Sequence, residues 1–180
     1  MTPLPPDDHA SFERFFREHQ RWLLSYLVGM CDDDGLAEDV LIEAFLVLWR
    51  QWHRAAVRRG QPAAYLLTVA RRLMWKELRS RELLPRPTDK PPEEGLHGVG
   101  SVEEAVIRDD RLRWALARLS PREREAVLLR YYLGYSGELT ARMMAPVTAG
   151  AVKRYAFDGR RKLQELLGEG DGDDMGGGQR

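Results

Sequence analysis

Between Leu36 and Trp52 the chain reads LAEDVLIEAFLVLWRQW, with neither Gly nor Pro in the run. Strong helix formers and apolar residues dominate the stretch, so a helix is the only regular element it suits. Ala37, Val40, Leu41, Ala44 and Leu48 recur at helical spacing and form one core-facing stripe. Ile42, Phe45, Leu46 and Trp49 extend the apolar surface well past that stripe. A helix apolar nearly all round has to be covered on several sides. Either its own domain wraps it, or one face is core and another is a docking surface.

The charge pattern adds a second constraint. The 28 basic and 28 acidic residues cancel, but they are not evenly spread. Met1 to Arg50 holds ten acids against four bases, and Gln51 to Glu82 holds eight bases against two acids. Such polarity fits one protein-facing and one phosphate-facing surface. Cys31 is the only cysteine, which excludes an internal disulfide and a CxxC metal site. His9, His19, His53 and His97 are scattered rather than ligand-spaced, and no metal or cofactor is expected. No apolar run is long enough for a membrane span, and MTPLPPDDHA lacks the signal-peptide pattern. A reducing cytoplasm is the expected compartment.

Taken in order, the chain reads as all-α, two small helical domains joined by a flexible linker. Residues 1–10, rich in Pro and Asp, are expected to be a loose arm. Residues 11–82 form the first domain. Ser11 is the expected N-cap of a helix carrying Phe12, Phe15, Phe16, His19, Leu23, Tyr26 and Leu27 and ending near Gly29. Asp32-Asp33-Asp34-Gly35 reads as a solvated turn, with Asp34 or the next acids capping the central helix. Pro62 opens a helix, AAYLLTVARRLMWKELRSR, with Tyr65, Leu66, Val69, Leu73 and Leu78 inward. Arg71, Arg72, Trp75, Lys76 and Arg79 fall on or near its other side. Cations interleaved with an aromatic suit phosphates and an unstacked base, although a solvated face with Trp75 in the core reads equally well.

Residues 83–100 are the expected linker, with four prolines and three glycines between Leu84 and Gly100. Residues 101–167 form the second domain, opened by a capping box at SVEE. Pro121 starts a helix whose Ala126, Val127, Leu129, Tyr131 and Leu133 are available to the core, and Gly134 ends it. Two helical stretches then flank the break at Ala145-Pro146, the second capped by Thr148 and carrying Lys153, Arg154, Arg160, Arg161 and Lys162. This pattern fits a helix-turn-helix with its second helix bound for a major groove, or a structural hairpin. The Gly/Asp-rich tail, 168–180, is expected to be disordered.

These segments, in this order, resemble an extracytoplasmic-function (ECF) bacterial sigma factor. AEDVLIEAFLVLW resembles the family's AED-hydrophobic-Q-E-x-F-x-x-x-W helix, which grips the clamp of RNA polymerase. PAAYLLTVARRLMWKELRSR resembles the WL-x-x-IARN-x-x-x-D-x-x-R helix that melts and reads the minus-ten element. ALARLSPREREAVLLRYYLGYS is similar to the family's segment ahead of the recognition helix, and GAVKRYAFDGRRKL resembles GTVKSRLxRARxxL, which reads the minus-thirty-five element. The resemblance implies a transcription initiation factor, not an enzyme, with core RNA polymerase and promoter DNA as partners and an anti-sigma protein as a common regulator. It implies polymerase contacts at Glu38, Asp39, Ile42, Glu43, Phe45 and Trp49. It places minus-ten contacts at Arg71, Arg72, Trp75, Lys76 and Arg79. Minus-thirty-five contacts fall at Thr148, Ala149, Lys153, Arg154, Tyr155, Arg160 and Arg161.

The chain departs from the pattern at several of these places. Ile42 replaces the usual Gln, Tyr65 Trp, Arg72 Asn and Lys76 Asp. Ala151 stands for Thr, Tyr155 and Asp158 for arginines, and the turn holding Pro146 is one residue longer. Fewer cations weaken phosphate affinity and changed base-contact residues alter sequence preference, so either an unusual promoter or a second domain drifted toward a protein partner is expected. A sigma-like adaptor without sequence-specific reading, and a free-standing helix-turn-helix regulator, are the competing readings.

Overall fold

The computed structural model describes residues 6–54, 60–80 and 109–168, and every regular element among them is helical. The first unit is built from α1 (Pro6–Cys31), α2 (Asp34–Arg50) and α3 (Pro62–Ser80), each packed against the other two. Its centre is aromatic. Phe45 of α2 meets Phe12, Phe15 and Phe16 of α1 at ring-centroid distances of 6.2, 6.4 and 4.7 Å. Trp52 lies edge-on to Phe12 at 5.1 Å, and its Nε1 donates to Ser11 Oγ at 3.0 Å. Burying a side chain such as Phe45 contributes roughly 2–3 kcal/mol, so this cluster fixes how α1 crosses α2.

Three local expectations change here. α1 begins at Pro6, ahead of the Ser11 N-cap expected from sequence, because a proline in the first turn lacks only an N–H that a helix start leaves unbonded. Its end at Cys31 lies near Gly29, as the sequence predicts. Asp33, rather than Asp34 or a later acid, caps α2 by accepting from Leu36 N at 2.9 Å. In α3 the buried residues are Leu66, Leu67, Ala70, Arg71, Met74 and Leu78, whereas Tyr65, Val69 and Leu73 are only half-buried.

The second unit comprises α4 (Asp110–Ala117), α5 (Pro121–Val127), α6 (Gly137–Met143) and α7 (Ala149–Gly168). Asp109 caps α4, Ser120 caps α5 in a full capping box with Glu123, and Ser136 caps α6. Thr148 caps α7, as the sequence predicts, accepting from Ala151 N at 3.2 Å. α5 continues into a π-helical turn, Leu128–Tyr132, closed by Leu133 N donating to Leu128 O at 2.9 Å. That wider turn breaks the 3.6-residue period, so Tyr131, expected in the core, emerges 52% exposed. Gly134 then takes a left-handed conformation, φ 69°, where the helix stops. At Gly159 a Cβ would stand 2.8 Å from Val127 Cγ2, so only glycine lets α7 lie this close to α5.

The two units are packed together. α1 runs along α4, α5 and the π turn, and Gly29 brings its backbone against Leu128. Arg124, almost fully buried, ties them: its Nη1 donates to Met30 O at the end of α1 at 2.7 Å. Its Nε donates to Leu116 O, and Nη2 to Ala117 O and Leu119 O, capping the end of α4. Burial pulls its pKa down to about 10, against an opposing pull from the Asp32 charge, which leaves it charged at neutral pH. The acidic turn is not simply solvated, since Arg113 donates to Asp32 at 2.9 Å and to Asp34 at 3.3 Å.

Cys31 is buried, its Sγ directed at Leu27 O and Asp33 O, and burial raises its pKa to about 11. Among the described residues no His/Cys/Asp/Glu group is placed to hold a metal, and no helix is long and apolar enough to cross a membrane. The expected linker at 83–100, the capping box at Ser101 and the tail beyond Gly168 lie outside the described residues.

Candidate polymerase and promoter-DNA interfaces

α2 divides into two faces. Leu36, Ala37, Val40, Leu41, Ala44, Phe45 and Leu48 are buried. Opposite them, Ile42 is 56% and Leu46 49% exposed, one helical turn apart and framed by exposed Glu38, Asp39 and Glu43. The apolar excess in this helix is therefore only partly absorbed by the fold. Phe45, implied as a polymerase contact, belongs to the core instead, and half-buried Trp49 packs on Phe12 at 4.8 Å and His9 at 4.8 Å. Leu46, absent from the sequence-derived set, joins Ile42 on the outer ridge.

α3 presents Arg72, Lys76 and Arg79 to solvent. Arg71 does not join them. It is 7% exposed, and its Nε donates to Glu125 Oε1 at 2.9 Å, with further bonds from Nη2 to Glu125 and from Nη1 to Met143 O. Trp75 is half-buried, its Nε1 donating to the same Glu125 oxygen at 2.9 Å and its ring lying 4.9 Å beneath the Arg122 guanidinium. Buried Tyr26 lies in the same field, and desolvation with the Glu125 charge pushes its phenol up.

α7 carries the third face. Thr148, Ala149, Lys153, Arg154, Arg160 and Arg161 are exposed, while Tyr155 is half-buried beside Arg154. Phe157 sits on the same stripe and is 66% exposed. The sequence reading passed over it, although its spacing from Lys153, Arg154, Arg160 and Arg161 was the available signal. Lys162 turns away from this stripe and holds Glu123 through bonds of 2.7 and 2.9 Å, fastening α7 to α5.

Glu123 also accepts from Ser120 N at 2.9 Å. Burial opposes its charge, but the Lys162 and Ser120 bonds prevail and hold its pKa below the ordinary 4.5. Its stabilising contribution is therefore present above that ordinary value and is lost as pH falls through the lower folded value. Glu123→Gln is expected to cost about 1–2 kcal/mol at neutral pH in urea denaturation. The gap from wild type should narrow as pH falls below the ordinary 4.5 and through the lower folded value, and a gap independent of pH would contradict the role given to its charge.

The comparisons with known proteins agree with this architecture. The Sigma-70 region 2 family model matches residues 15–83, and that for Sigma-70, region 4 matches residues 109–163. The ECF RNA polymerase sigma factor SigK of Mycobacterium sp. is 29% identical over 147 residues, covering 76% of this chain and 72% of its own. RNA polymerase sigma factor CarQ of Myxococcus xanthus is 30% identical over 169 residues, 88% of this chain and 90% of CarQ. The chain belongs to the ECF sigma factors. Like other sigma factors it is a transcription initiation factor that directs RNA polymerase to promoters. The sigma factor RpoE of Bartonella quintana, solved in complex with the anti-sigma factor NepR, shares the fold, with a TM-score of 0.64 and 20% identity over 88% of this chain and 97% of that one.

Proposed function

We propose that this ECF sigma factor divides its work among three faces. The outer ridge of α2, Ile42 and Leu46 within Glu38, Asp39 and Glu43, docks on core polymerase, with Trp49 supporting it from the half-buried margin. The cations of α3, Arg72, Lys76 and Arg79 with Arg71 and Trp75 beside them, follow the minus-ten strand. The α7 stripe enters the major groove of the minus-thirty-five element, where Lys153, Arg154, Arg160 and Arg161 supply charge and Thr148 and Ala149 lie at the helix start. Phe157 offers an apolar surface suited to a thymine methyl. The observation that carries this reading is the Ile42–Leu46 ridge, left open on a helix that is otherwise core. The same ridge is where an anti-sigma protein would compete with polymerase. The reading places the protein in the cytoplasm, with its polymerase.

The α7 assignment has a direct test. Lys153→Ala with Arg154→Ala should weaken binding to an upstream-element duplex by about tenfold or more and reduce the salt slope by about two. Polymerase binding should stay near wild type, because α7 is on a separate face. A double variant that binds and transcribes like wild type would remove α7 from the recognition role.

A further inference from the structure

The outer side of α7 carries a carboxylate among its cations. Val152, Ala156 and Gly159 are the buried residues of this helix. At about 100° per residue, Arg154 and Arg161 point directly away from them, and Phe157 and Asp158 flank that pole on either side. Arg154, Phe157 and Arg161 are exposed, whereas Asp158 is half-buried.

Three cations stand at helical spacing from Asp158: Arg154 four residues before it, Arg161 three and Lys162 four after it. Each is turned elsewhere. Lys162 holds Glu123 at 2.7 and 2.9 Å, Arg161 faces Glu165 at 3.9 Å, and Arg154 lies 5.7 Å from the Tyr155 ring centroid. Among the described residues Asp158 has no hydrogen bond or ion pair.

In a major groove such a carboxylate is repelled by phosphates and by every base edge that presents only acceptors, guanine N7 and O6 or thymine O4. Cytosine offers its N4 amino group with no acceptor beside it, so there the carboxylate accepts a charge-assisted hydrogen bond. Adenine also has an amino donor, but N7 next to it repels the second carboxylate oxygen. Of the four bases, cytosine is the one that a fixed carboxylate selects. A side chain with two dihedrals, restricted further by its helix, keeps the carboxylate near one position, as a single-base contact requires.

We propose that Asp158 is a specificity-determining residue for the minus-thirty-five element, accepting from N4 of a cytosine at one fixed place in it. The inference rests on the entry of α7 into the major groove. The same acid that weakens attraction to phosphates thereby contributes selectivity.

The test uses the full chain with core RNA polymerase on templates whose upstream element is randomised, as wild type, Asp158→Asn and Asp158→Ala, with helical circular dichroism of each chain. Wild type should initiate from templates holding cytosine at one position of one strand, with the other three bases there reduced about tenfold or more. Asp158→Ala should flatten the preference at that position and leave the rest of the selected sequence in place. Asn pairs with adenine N6 and N7, so Asp158→Asn should move the preference there from cytosine to adenine. If one variant lost its helical signal, the other decides. A wild-type element with no such cytosine, or a cytosine preference that survives in both variants, overturns the assignment. Stronger transcription from every template with no change in selected sequence overturns it too, and would mean that Asp158 only repels phosphates. An error in the reading of α7 shows separately: Lys153→Ala with Arg154→Ala would then leave the selected sequence unchanged.

Discussion

Arg124→Ala should be the most destabilising single change in the described part of the chain. Four carbonyls, those of Leu116, Ala117, Leu119 and Met30, accept from this one guanidinium. Truncation leaves these acceptors facing a void at the junction of α1, α4 and α5. A buried acceptor without a partner costs about 1–3 kcal/mol, and a cavity adds to that. Water entering the gap offsets some of the loss, so we expect about 3 kcal/mol or more in chemical denaturation. Arg161→Ala is the matching control, because its pair with Glu165 at 3.9 Å is exposed and should contribute under about 1 kcal/mol. Equal costs for the two variants would mean that Arg124 does not organise the junction.

The largest functional effect is expected on α2. Ile42→Glu with Leu46→Glu places two carboxylates on a ridge already framed by Glu38, Asp39 and Glu43. Apolar anchors at the centre of an interface typically carry about 2 kcal/mol or more each, roughly thirtyfold in affinity. Losing both, and desolvating new charge besides, should abolish co-purification with core polymerase. Both side chains are already half-exposed, so melting temperature and helical signal should remain near wild type. A double variant that still co-purifies would put the polymerase contact elsewhere.

How much of this was legible in the sequence follows from what was local. The α2 stripe, the Thr148 cap, Pro121 at a helix start and Gly134 at a helix end are set by residues within a turn of one another, and the structure has each of them. The doubt over the excess apolar face of α2 resolved into two parts, because α1 supplies aromatic partners for Phe45 and Trp49 while Ile42 and Leu46 stay about half exposed. Arg71 was misread as open for a physical reason. Its partner is Glu125, and no periodicity within α3 reports a carboxylate on another domain. Tyr131 was misplaced by a π turn, which a 3.6-residue period does not anticipate. The acidic turn was read as solvated because Arg113, which holds it, lies about 80 residues away.

The most direct measurement is transcription from a promoter library by core RNA polymerase reconstituted with the purified chain. Initiation confined to templates that share one upstream and one downstream element, and lost with the Lys153→Ala and Arg154→Ala pair, is the predicted result. Polymerase that binds the chain yet starts nowhere, or a chain that does not bind polymerase, would contradict the account.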